Sequence, residues 1–360
     1  NIFLLAPHIE EVQMEKSSHS ACPVSAGCVR THMWFDSMKT GSSMKISAPP
    51  ERVHPAERNN TAVCQTVTYK VADKCGLKAD VYVPEGSDAA PVILWIHGGA
   101  LIGGNRKDIR GEQLEFYLRN GYALVSIDYR LAPETKLPQI IEDIHDAYDW
   151  LHREGRQQFG FDSRRIVVAG HSAGGYLTLM TGFCVSPRPQ ALVSFYGYGD
   201  LIGGWYSRPD PFYCKLAPVE KDAAYASIGT EPVADLSLPG TSPDPRGRFQ
   251  FYLYCRQHGL WPKEVSGFDP DSESKQYVPF NPLWNVTPDY PPTLLLHGDL
   301  DTDVPYAQSV LMAYEMQRHG VEHELHTVRG GGHGFDGHGF GKPEVDAAFD
   351  RVLGFLKQRL

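Results

Sequence analysis

The sequence predicts an α/β protein in which helices flank a mostly parallel, doubly wound β-sheet. Short apolar runs rich in Val, Ile and Leu recur along the chain, and amphipathic helical patterns lie between them. Continuous apolar runs of this kind are typical of strands that are buried on both faces of a parallel sheet. Strands that alternate with helices indicate a doubly wound sheet. One stretch of roughly 90 residues breaks the alternation and is predicted to be a folded insertion rather than a loop.

The strands are predicted from apolar runs and from alternation of apolar and polar residues. Two alternating runs, Val63–Val71 and Ala79–Pro84, are predicted to pair as antiparallel strands. The buried strands of the parallel part are predicted over Val92–Ile96, Tyr122–Asp128, Arg165–Ala169, Ala191–Tyr196, Thr293–Leu296 and His323–Val328.

Three helices are predicted from apolar residues at three- and four-residue spacing, which places them on one helix face. The first face consists of Ile140, Ile144, Ala147, Tyr148 and Leu151. The second consists of Ala307, Val310, Leu311 and Tyr314, in a helix that Gly320 ends. The third, in the last helix, consists of Val345, Ala348, Phe349, Val352, Phe355 and Leu356.

The chain is predicted to have a core in two parts, separated by an insertion. Residues 61–200 and 293–360 carry the strand and helix patterns of the core. Residues 201–292, rich in Pro, Tyr, Phe and Trp, are predicted to form a cap over the carboxyl ends of the strands, where α/β sheets bind ligands. A structural excursion remote from the site is the alternative. Residues 1–60 show weak periodicity and are predicted to form a lead or a helix that joins the cap, with Met44 as an alternative start.

Composition favours a globular protein without a nucleic-acid surface. The chain has 34 Lys and Arg against 43 Asp and Glu, a formal charge of −9, and no basic block, so a nucleic-acid partner is not indicated. No run of about 18 apolar residues, the length of a membrane span, is present. The Ile2–Ala6 run is too short for the apolar core of a signal peptide. Cysteine usage favours a cytoplasmic location, with secretion as the alternative; a homo-oligomer is left open.

The cysteines form no metal-binding pattern. There are seven, an odd number, and none of them lies in a CxxC pair. Reduced thiols in a cytosolic enzyme are the favoured interpretation. The alternative is one or two disulfides in a secreted protein, with Cys64 and Cys75 as the nearest candidates.

A candidate nucleophile lies in the sequence Gly170-His171-Ser172-Ala173-Gly174. A predicted strand precedes this G-x-S-x-G pattern, and a helical pattern that begins with small residues follows it. A sharp strand-to-helix turn holds the serine in a strained backbone above the edge of the sheet. The amino terminus of the following helix then points its unpaired N–H groups at the serine. Without this context the pattern would be a weak signal, but within it Ser172 is the predicted nucleophile.

Candidate oxyanion donors follow the strand at Val92–Ile96. The sequence continues His97-Gly98-Gly99-Ala100, and glycines allow backbone N–H groups to face a developing negative charge. We assign the donors to the amides of Gly98, Gly99 and Ala173. His97 is predicted to brace the loop rather than to act in catalysis.

The candidate acid follows the strand at Thr293–Leu296. A triad needs a carboxylate to orient its imidazole, and this loop offers Asp299, Asp301 and Asp303. Asp301 is favoured because the acid should lie clear of the strand end and before the next helix. Asp299 and Asp303 remain alternatives, with helix capping or solvation as their other roles.

The candidate base lies in the glycine-rich loop after the last predicted strand. His333 follows that strand closely and has glycine on both sides, whereas His338 lies further on. The order serine, acid, histidine is the order of α/β-hydrolases. His333 is therefore the predicted base, with His338 as the alternative.

These motifs together resemble the hormone-sensitive-lipase-like α/β-hydrolases, the esterase and lipase group with an HGGG-type oxyanion loop. The resemblance covers about Val63 to Leu360. It depends on HGGA at His97–Ala100, SIDYRLAPE at Ser126–Glu134, GHSAGG at Gly170–Gly175, HGDLDTDVP at His297–Pro305 and GHGF at Gly332–Phe335. The sequence departs from the group at two places. Ala100 stands where the group has a fourth glycine, and GHSAGG stands where GDSAGG is common in the group.

The resemblance implies ester hydrolysis through an acyl-enzyme, with no cofactor or metal and with a cap that lines the acyl pocket. In that mechanism Ser172 attacks the ester carbonyl while His333 takes its proton and Asp301 holds the imidazole. Neutral His333 is required, so activity is predicted to rise through roughly pH 6–7. A small-molecule amidase or peptidase of the same fold is one alternative. A non-catalytic ligand-binding protein on the same scaffold is the other.

The predicted cap suggests small substrates. Its aromatic residues would enclose a compact apolar pocket suited to short acyl chains, or else would form the core of the cap itself. They are Trp205, Tyr206, Phe212, Tyr213, Phe249, Phe251, Tyr252 and Trp261.

Overall fold

The computed structural model of the chain describes residues 62–87, 89–238 and 247–360. The predictions for residues 1–60, a lead or helix and a start at Met44, lie outside the described residues.

One sheet organises the part of the chain that the structure describes. Its strands are β1 (Ala62–Ala72), β2 (Cys75–Pro84), β3 (Val92–Ile96), β4 (Ala123–Ile127), β5 (Ile166–His171), β6 (Ala191–Phe195), β7 (Thr293–Gly298) and β8 (His323–Val328). Their order across the sheet is β1-β2-β4-β3-β5-β6-β7-β8. The β1–β2 and β2–β4 pairs are antiparallel, and the other neighbours are parallel. The predicted doubly wound, mostly parallel α/β architecture is confirmed.

Helices cover the sheet and fill the segment between β6 and β7. They are α1 (Gly111–Arg119), α2 (Leu137–Phe159), α3 (Ala173–Cys184), α4 (Gly204–Ser207), α5 (Lys221–Tyr225), α6 (Arg248–His258), α7 (Trp261–Ser266), α8 (Ala307–Arg318) and α9 (Pro343–Arg359). Short 3₁₀ helices lie at Arg106–Asp108, Tyr213–Lys215, Ser274–Phe280, Pro282–Trp284 and Phe335–His338. None of the helices within the described ranges is long and apolar enough to cross a membrane.

The predicted buried strands are observed with small shifts of their ends. The bounds of β3 and β8 are as predicted, and every residue of β3, β4 and β6 is buried. The largest difference is β2, which begins at Cys75 instead of Ala79. Asp73 and Lys74 both have left-handed backbones, with φ of 47° and 64°. These two residues form a tight hairpin turn, and the pairing of β1 with β2 therefore continues up to it.

Two of the three predicted helix faces are correct. The predicted faces of α2 and α9 are buried. In α8 the prediction is wrong, because Val310, Leu311 and Tyr314 are 41%, 42% and 57% exposed. The buried face of α8 instead consists of Gln308, Ser309, Met312 and Met316. Two of these are polar residues whose hydrogen bonds satisfy them inside the fold, so apolar spacing alone selected the wrong face.

The alternative of a Cys64–Cys75 disulfide is wrong. Both cysteines have free thiols. Cys64 lies opposite Tyr82 and Cys75 lies opposite Ala72, so the two lie at different ends of the hairpin. At about 3.3 Å per residue this separation is far too large for a disulfide.

Residues 201–292 contain helices and turns but, in their described part, no strand. We call this stretch the 201–292 segment. An aromatic stack lies at its centre, where Tyr206 lies 3.9 Å from the Trp261 ring and 3.9 Å from the Trp205 ring, measured between centroids. Tyr206, Tyr213, Phe251, Tyr252 and Trp261 are all buried. These aromatic residues therefore form much of the segment's own core.

Candidate active site

Ser172 occupies the turn between β5 and α3 with a strained backbone. Its φ is 55° and its ψ is −120°, a conformation that residues with a side chain rarely adopt. Its amide donates a hydrogen bond to the carbonyl of Phe195 over 2.9 Å, and its carbonyl accepts one from the amide of Tyr176 over 3.0 Å. A Cβ atom on Gly174 would lie 2.0 Å from the Ile96 carbonyl oxygen. Glycine at that position lets α3 approach β3 and fixes Ser172 at the carboxyl end of the sheet.

The structure brings Ser172, His333 and Asp301 into one chain of hydrogen bonds. Nε2 of His333 lies 3.0 Å from Oγ of Ser172, and its Nδ1 lies 2.7 Å from Oδ2 of Asp301. Ser172 and His333 are 161 residues apart in the sequence. The parallel strands bring them together because β5, β7 and β8 all end at the same edge of the sheet.

Asp301 is fully buried and well supplied with hydrogen-bond donors. Its Oδ1 accepts hydrogen bonds from the amides of Asp303 and Val304 over 2.8 and 2.9 Å. Its Oδ2 faces His333 and also lies 3.2 Å from Nε2 of His297. Burial acts to raise the pKa of Asp301, but the charge of His333 and the hydrogen bonds from His333 and His297 hold it well below its usual range. Asp301 is therefore ionised at every pH at which the protein would be studied.

His297 supports Asp301 from within the core and was not singled out from the sequence. Its ring is fully buried, and Nδ1 lies 2.7 Å from Oγ of Ser309. Its Nε2 also lies 3.0 Å from the carbonyl oxygen of Val304. A histidine at the end of β7, four residues before the acid, is the signal that could have found it.

His333 lies among carboxylates. Burial acts to lower its pKa, but the negative charges of Asp301 and Asp303, together with that of Asp336, raise the pKa to about 9. The ring of Tyr196 packs edge-on against the imidazole with centroids 4.8 Å apart. The hydroxyl of Tyr196 in turn donates to Asp336 over 2.7 Å. These contacts fix the imidazole between the two strand ends.

The alternative acids and base have other partners. Asp299 accepts a hydrogen bond from the Gly330 amide over 2.6 Å and pairs with the exposed Arg329. His338 lies 3.9 Å from Glu344 with its side chain 36% exposed. Asp303 does face His333, but from the Nε2 side, with Oδ2 at 3.4 Å. Among the three carboxylates of the loop, Asp301 is thus the one that holds Nδ1 of His333.

The candidate oxyanion donors come from the loop after β3 and from the first residue of α3. A Cβ on Gly98 would lie 2.8 Å from the carbonyl oxygen of His171, so the glycine lets this loop lie directly against the Ser172 turn. The Gly99 carbonyl accepts hydrogen bonds from the amides of Ile102 and Gly103. Within the described residues, the amides of Gly98, Gly99 and Ala173 donate to no backbone or side-chain acceptor. Their role as donors to a ligand oxygen stays a prediction.

The 201–292 segment holds the loop after β3 from outside. Nε1 of Trp261 donates to the Ala100 carbonyl over 2.9 Å, and Nε of Arg248 donates to the Ile102 carbonyl over 2.7 Å. Arg248 also pairs with the buried carboxylate of Glu134 over 2.7 Å. Two buried side chains of the segment thus fix the backbone that carries the candidate donors.

A second part of the 201–292 segment reaches the loop that carries Asp301. Oδ1 of Asp303 accepts hydrogen bonds from the hydroxyls of Tyr213 and Tyr252 over 2.8 and 2.5 Å. Nη1 of Arg256 also donates to this oxygen, over 2.9 Å. Arg256 is fully buried. Arg256 could not be selected from the sequence, because a single arginine in a helical segment is usually exposed.

No cluster of three or more His, Cys, Asp or Glu suited to a metal ion occurs among the residues described.

The fold and the comparisons with solved structures define the class of this protein: it has the α/β-hydrolase fold. It is similar to an alpha/beta hydrolase superfamily protein from Enterococcus faecalis, with a TM-score of 0.63 and 24% identity over 82% of this chain and 99% of that one. It is also similar to a hyperthermophilic esterase from Pyrobaculum calidifontis, with a TM-score of 0.59 and 21% identity over 82% of this chain and 83% of that one.

Sequence comparisons add two family models and a set of larger relatives. A model described as BD-FAE matches residues 79–201, and the prolyl oligopeptidase family model matches residues 250–360. The first match contains Ser172 and the candidate oxyanion donors, and the second contains Asp301 and His333. The chain is also 29% identical over 303 residues to the non-reducing polyketide synthase atr1 of Stereocaulon alpinum, covering 75% of this chain. It spans only 12% of the length of that synthase.

Proposed function

We propose that the chain is a serine hydrolase that cleaves carboxylic esters of small or short-chain acids through an acyl-enzyme. The observation that carries the proposal is the unbroken hydrogen-bonded chain Ser172–His333–Asp301, with distances of 3.0 and 2.7 Å. This arrangement activates a serine hydroxyl by giving it a base and by orienting that base. It matches the hormone-sensitive-lipase-like resemblance of the sequence.

Acylation follows from the geometry around Nε2. Oγ of Ser172 attacks the ester carbonyl as its proton passes to Nε2 of His333, and the ionised Asp301 stabilises the imidazolium that forms. The carbonyl oxygen becomes an oxyanion, which the amides of Gly98, Gly99 and Ala173 stabilise. When the carbon–oxygen bond to the alcohol breaks, Nε2 returns its proton to the leaving oxygen.

Deacylation uses the same groups in the same order. A water molecule attacks the acyl carbonyl, and Nε2 of His333 takes one of its protons. The tetrahedral intermediate collapses, the acid leaves, and Ser172 regains its proton from the imidazolium. No group beyond this chain and water is required.

We propose that the 201–292 segment is the cap of the site. Its contacts with Ala100 and Asp303 place it beside both the oxyanion loop and the acid loop. Five of the eight aromatic side chains singled out from the sequence are buried in the segment's own core, which leaves less apolar surface to bind a long acyl chain. This favours small or short-chain esters.

The comparisons favour two further substrates for the same site. The prolyl oligopeptidase model favours amide hydrolysis, since it matches residues 250–360. The similarity to segments of polyketide synthases favours the ester or thioester of a polyketide-type acid. A non-catalytic binding protein is disfavoured, because such a protein would not need Ser172, His333 and Asp301 in contact.

The test is hydrolysis of p-nitrophenyl acetate, butyrate and octanoate by the whole chain and by Ser172→Ala. We expect turnover that falls with acyl length, and a loss of at least about 10⁴-fold in kcat in the variant. Ser272→Ala, which alters an exposed serine, serves as the control and should retain activity. Turnover that survives in Ser172→Ala would refute the assignment of Ser172 as the nucleophile.

The substrate class is tested by a second panel with the same two variants. Amino-acyl p-nitroanilides report amide hydrolysis, and a benzoyl thioester reports the aromatic acyl alternative. If the p-nitroanilides or the benzoyl thioester were turned over faster than p-nitrophenyl acetate, and Ser172 were required, the assignment to simple esters would be wrong. Absence of turnover for every substrate would overturn the proposal of a hydrolase for these acyl classes.

A further inference from the structure

We propose that Asp303 is a second carboxylate partner of His333, acting on the nitrogen that exchanges protons with Ser172. The inference rests on the proposed function and goes beyond the triad. Oδ2 of Asp303 lies 3.4 Å from Nε2 of His333, on the opposite side of the imidazole from Asp301. The ring therefore has a carboxylate on each nitrogen. Asp303 is a positioning residue, since it acts through the imidazole.

The orientation of Asp303 is fixed by the 201–292 segment. Its Oδ1 accepts hydrogen bonds from the hydroxyls of Tyr213 and Tyr252 and from Arg256. These three donors occupy one oxygen and leave Oδ2 turned toward His333. A carboxylate held in this way cannot rotate away without losing several hydrogen bonds.

Arg256 does not cancel the negative charge that His333 meets. The guanidinium also pairs with Asp210 over 2.6 Å, so one positive charge is shared between two carboxylates. It is packed against aromatic rings, with the Tyr213 centroid at 4.6 Å and the Tyr206 centroid at 4.8 Å. The group formed by Arg256, Asp210 and Asp303 contains one guanidinium and two carboxylates, a formal net charge of −1.

An anion near Nε2 acts differently on the two forms of the imidazole. In neutral His333 the lone pair of Nε2 faces the carboxylate, and the contact is unfavourable. When Nε2 carries the proton of Ser172, an N–H group and a positive charge face the same carboxylate, and the contact becomes favourable. Asp303 thus stabilises the imidazolium formed during acylation, and in the free protein it makes protonated His333 harder to convert into the neutral base.

Titratable groups from three other elements surround His333. Asp336, in the 3₁₀ helix after His333, adds a negative charge but pairs with Arg110 over 2.8 Å. From β5, the partly buried His171 has a pKa lowered to about 3 by desolvation, so it is neutral. From β6, burial keeps the pKa of Tyr196 well above its usual value, so it is neutral as well. Asp301 and Asp303 are therefore the carboxylates that face the imidazole directly.

The test is the pH dependence of kcat/KM for the whole chain and for Asp303→Asn. The substitution keeps the size and the hydrogen-bond acceptor but removes the charge. We expect the midpoint of the acid limb to move down by about one unit or more, the usual effect of removing an adjacent opposite charge. At pH values below both midpoints, the fraction of neutral His333 then rises about tenfold.

Two further variants show whether charge near Nε2 is responsible. Asp299→Asn removes a carboxylate from the same loop that pairs with the exposed Arg329, and it should leave the midpoint in place. Asp303→Glu retains the charge and should restore a midpoint closer to that of the unaltered protein. A midpoint that stays the same in Asp303→Asn, or that moves equally in Asp299→Asn, would overturn the proposal.

A measurement without turnover separates this inference from the proposed function. ¹⁵N NMR titration of His333, assigned by comparison with His333→Gln, gives the imidazole pKa in the whole chain with and without Asp303→Asn. If no ester is turned over, the hydrolase proposal fails while this titration still tests Asp303. Should Asp303→Asn not fold, Tyr213→Phe removes one donor from Oδ1, leaves the carboxylate less neutralised and should raise the His333 pKa. A pKa that is unchanged in Tyr213→Phe would then count against the proposal.

Discussion

Trp261 and Ala100 are joined by a hydrogen bond of 2.9 Å from the indole nitrogen to the backbone carbonyl. Ala100 and Leu101 both have positive φ values, 56° and 60°, which cost free energy in residues other than glycine. The bond therefore stabilises a strained part of the loop that carries Gly98 and Gly99. Through it, a buried residue of the 201–292 segment contributes to the geometry of the candidate oxyanion site.

Trp261→Phe should lower kcat by about tenfold, because it removes the indole N–H while keeping most of the packed ring. The loss should appear mainly in kcat, since the oxyanion forms in the transition state. Steady-state kinetics with p-nitrophenyl acetate would measure it. Trp205→Phe is the matched control, because its indole donates to Asp200 instead. Equal losses in both variants would show that general packing, rather than the bond to Ala100, is responsible.

Gly98→Ala should lower kcat by about 10²- to 10³-fold, the effect expected when an oxyanion donor is displaced. The new methyl group would lie 2.8 Å from the His171 carbonyl oxygen, so the loop must move away from Ser172. Gly103→Ala is the control in the same loop, since its nearest neighbours would lie 3.9 Å away. Normal kcat in Gly98→Ala, measured on the same ester, would remove Gly98 from the donor set.

Asp301→Asn should lower kcat by about 10⁴-fold and should also destabilise the fold, because the low pKa of Asp301 shows that its charge is stabilised in the folded state. An asparagine can present its NH₂ group to Nδ1 of His333, which forces the proton onto Nε2 and leaves that nitrogen unable to act as a base. Asp299→Asn serves as the control in the same loop. Thermal unfolding of both variants shows whether the fold is intact. An Asp301→Asn protein with nearly full activity would mean that a different carboxylate holds the imidazole.

The activity of the unaltered protein should rise through about pH 9. His333 must be neutral to accept the Ser172 proton, and although burial acts to lower its pKa, Asp301 and Asp303 raise it to about 9. The sequence alone predicted a rise at pH 6–7, because it could not show two carboxylates around one imidazole. A raised histidine pKa also means that its stabilising interactions are complete below about pH 6.5 and are lost as the pH passes 9. Profiles of kcat/KM and of Tm from pH 5 to 10 would check both trends, and a midpoint near 6.5 would contradict them.

Arg248→Met should destabilise the protein by about 3–5 kcal/mol, because it leaves the buried Glu134 carboxylate without its cation. The side chains of Arg248 and Glu134 are only 2% and 1% exposed. Urea unfolding measures the change. Arg119→Met, which breaks an exposed pair with Glu115, should change the unfolding free energy by no more than about 1 kcal/mol. Similar values for the two variants would mean that the Arg248 pair adds nothing through its burial.

The elements that the sequence predicts well are those with strong local signals. The short β3 run of apolar residues is typical of a buried strand, and the glycines around Ser172 indicate the turn without reference to any distant residue. The prediction of the buried face of α8 was wrong because Gln308 lies on that face. Its Oε1 accepts hydrogen bonds from the amides of Gly199 and Asp200. No local pattern shows that such distant amides need an acceptor.

The residues of the candidate site also differ in whether local sequence could identify them. Ser172 and His333 each lie in a glycine-rich turn directly after a strand, so local sequence was enough to select them. The contacts of Arg256 and Tyr213 with Asp303 cross from the 201–292 segment to the loop after β7, and they depend on how these parts pack. A single sequence contains no signal for such contacts until the fold is known.

The separation of 161 residues between Ser172 and His333 has a consequence for the nascent chain. At typical rates of translation, the ribosome needs roughly 8 to 30 seconds to extend the polypeptide from one to the other. During that time the serine hydroxyl has no base and is a poor nucleophile. The proposed acyl-enzyme therefore cannot form until the residues after β8 have emerged, and a truncated product that ends before His333 would lack its proposed base.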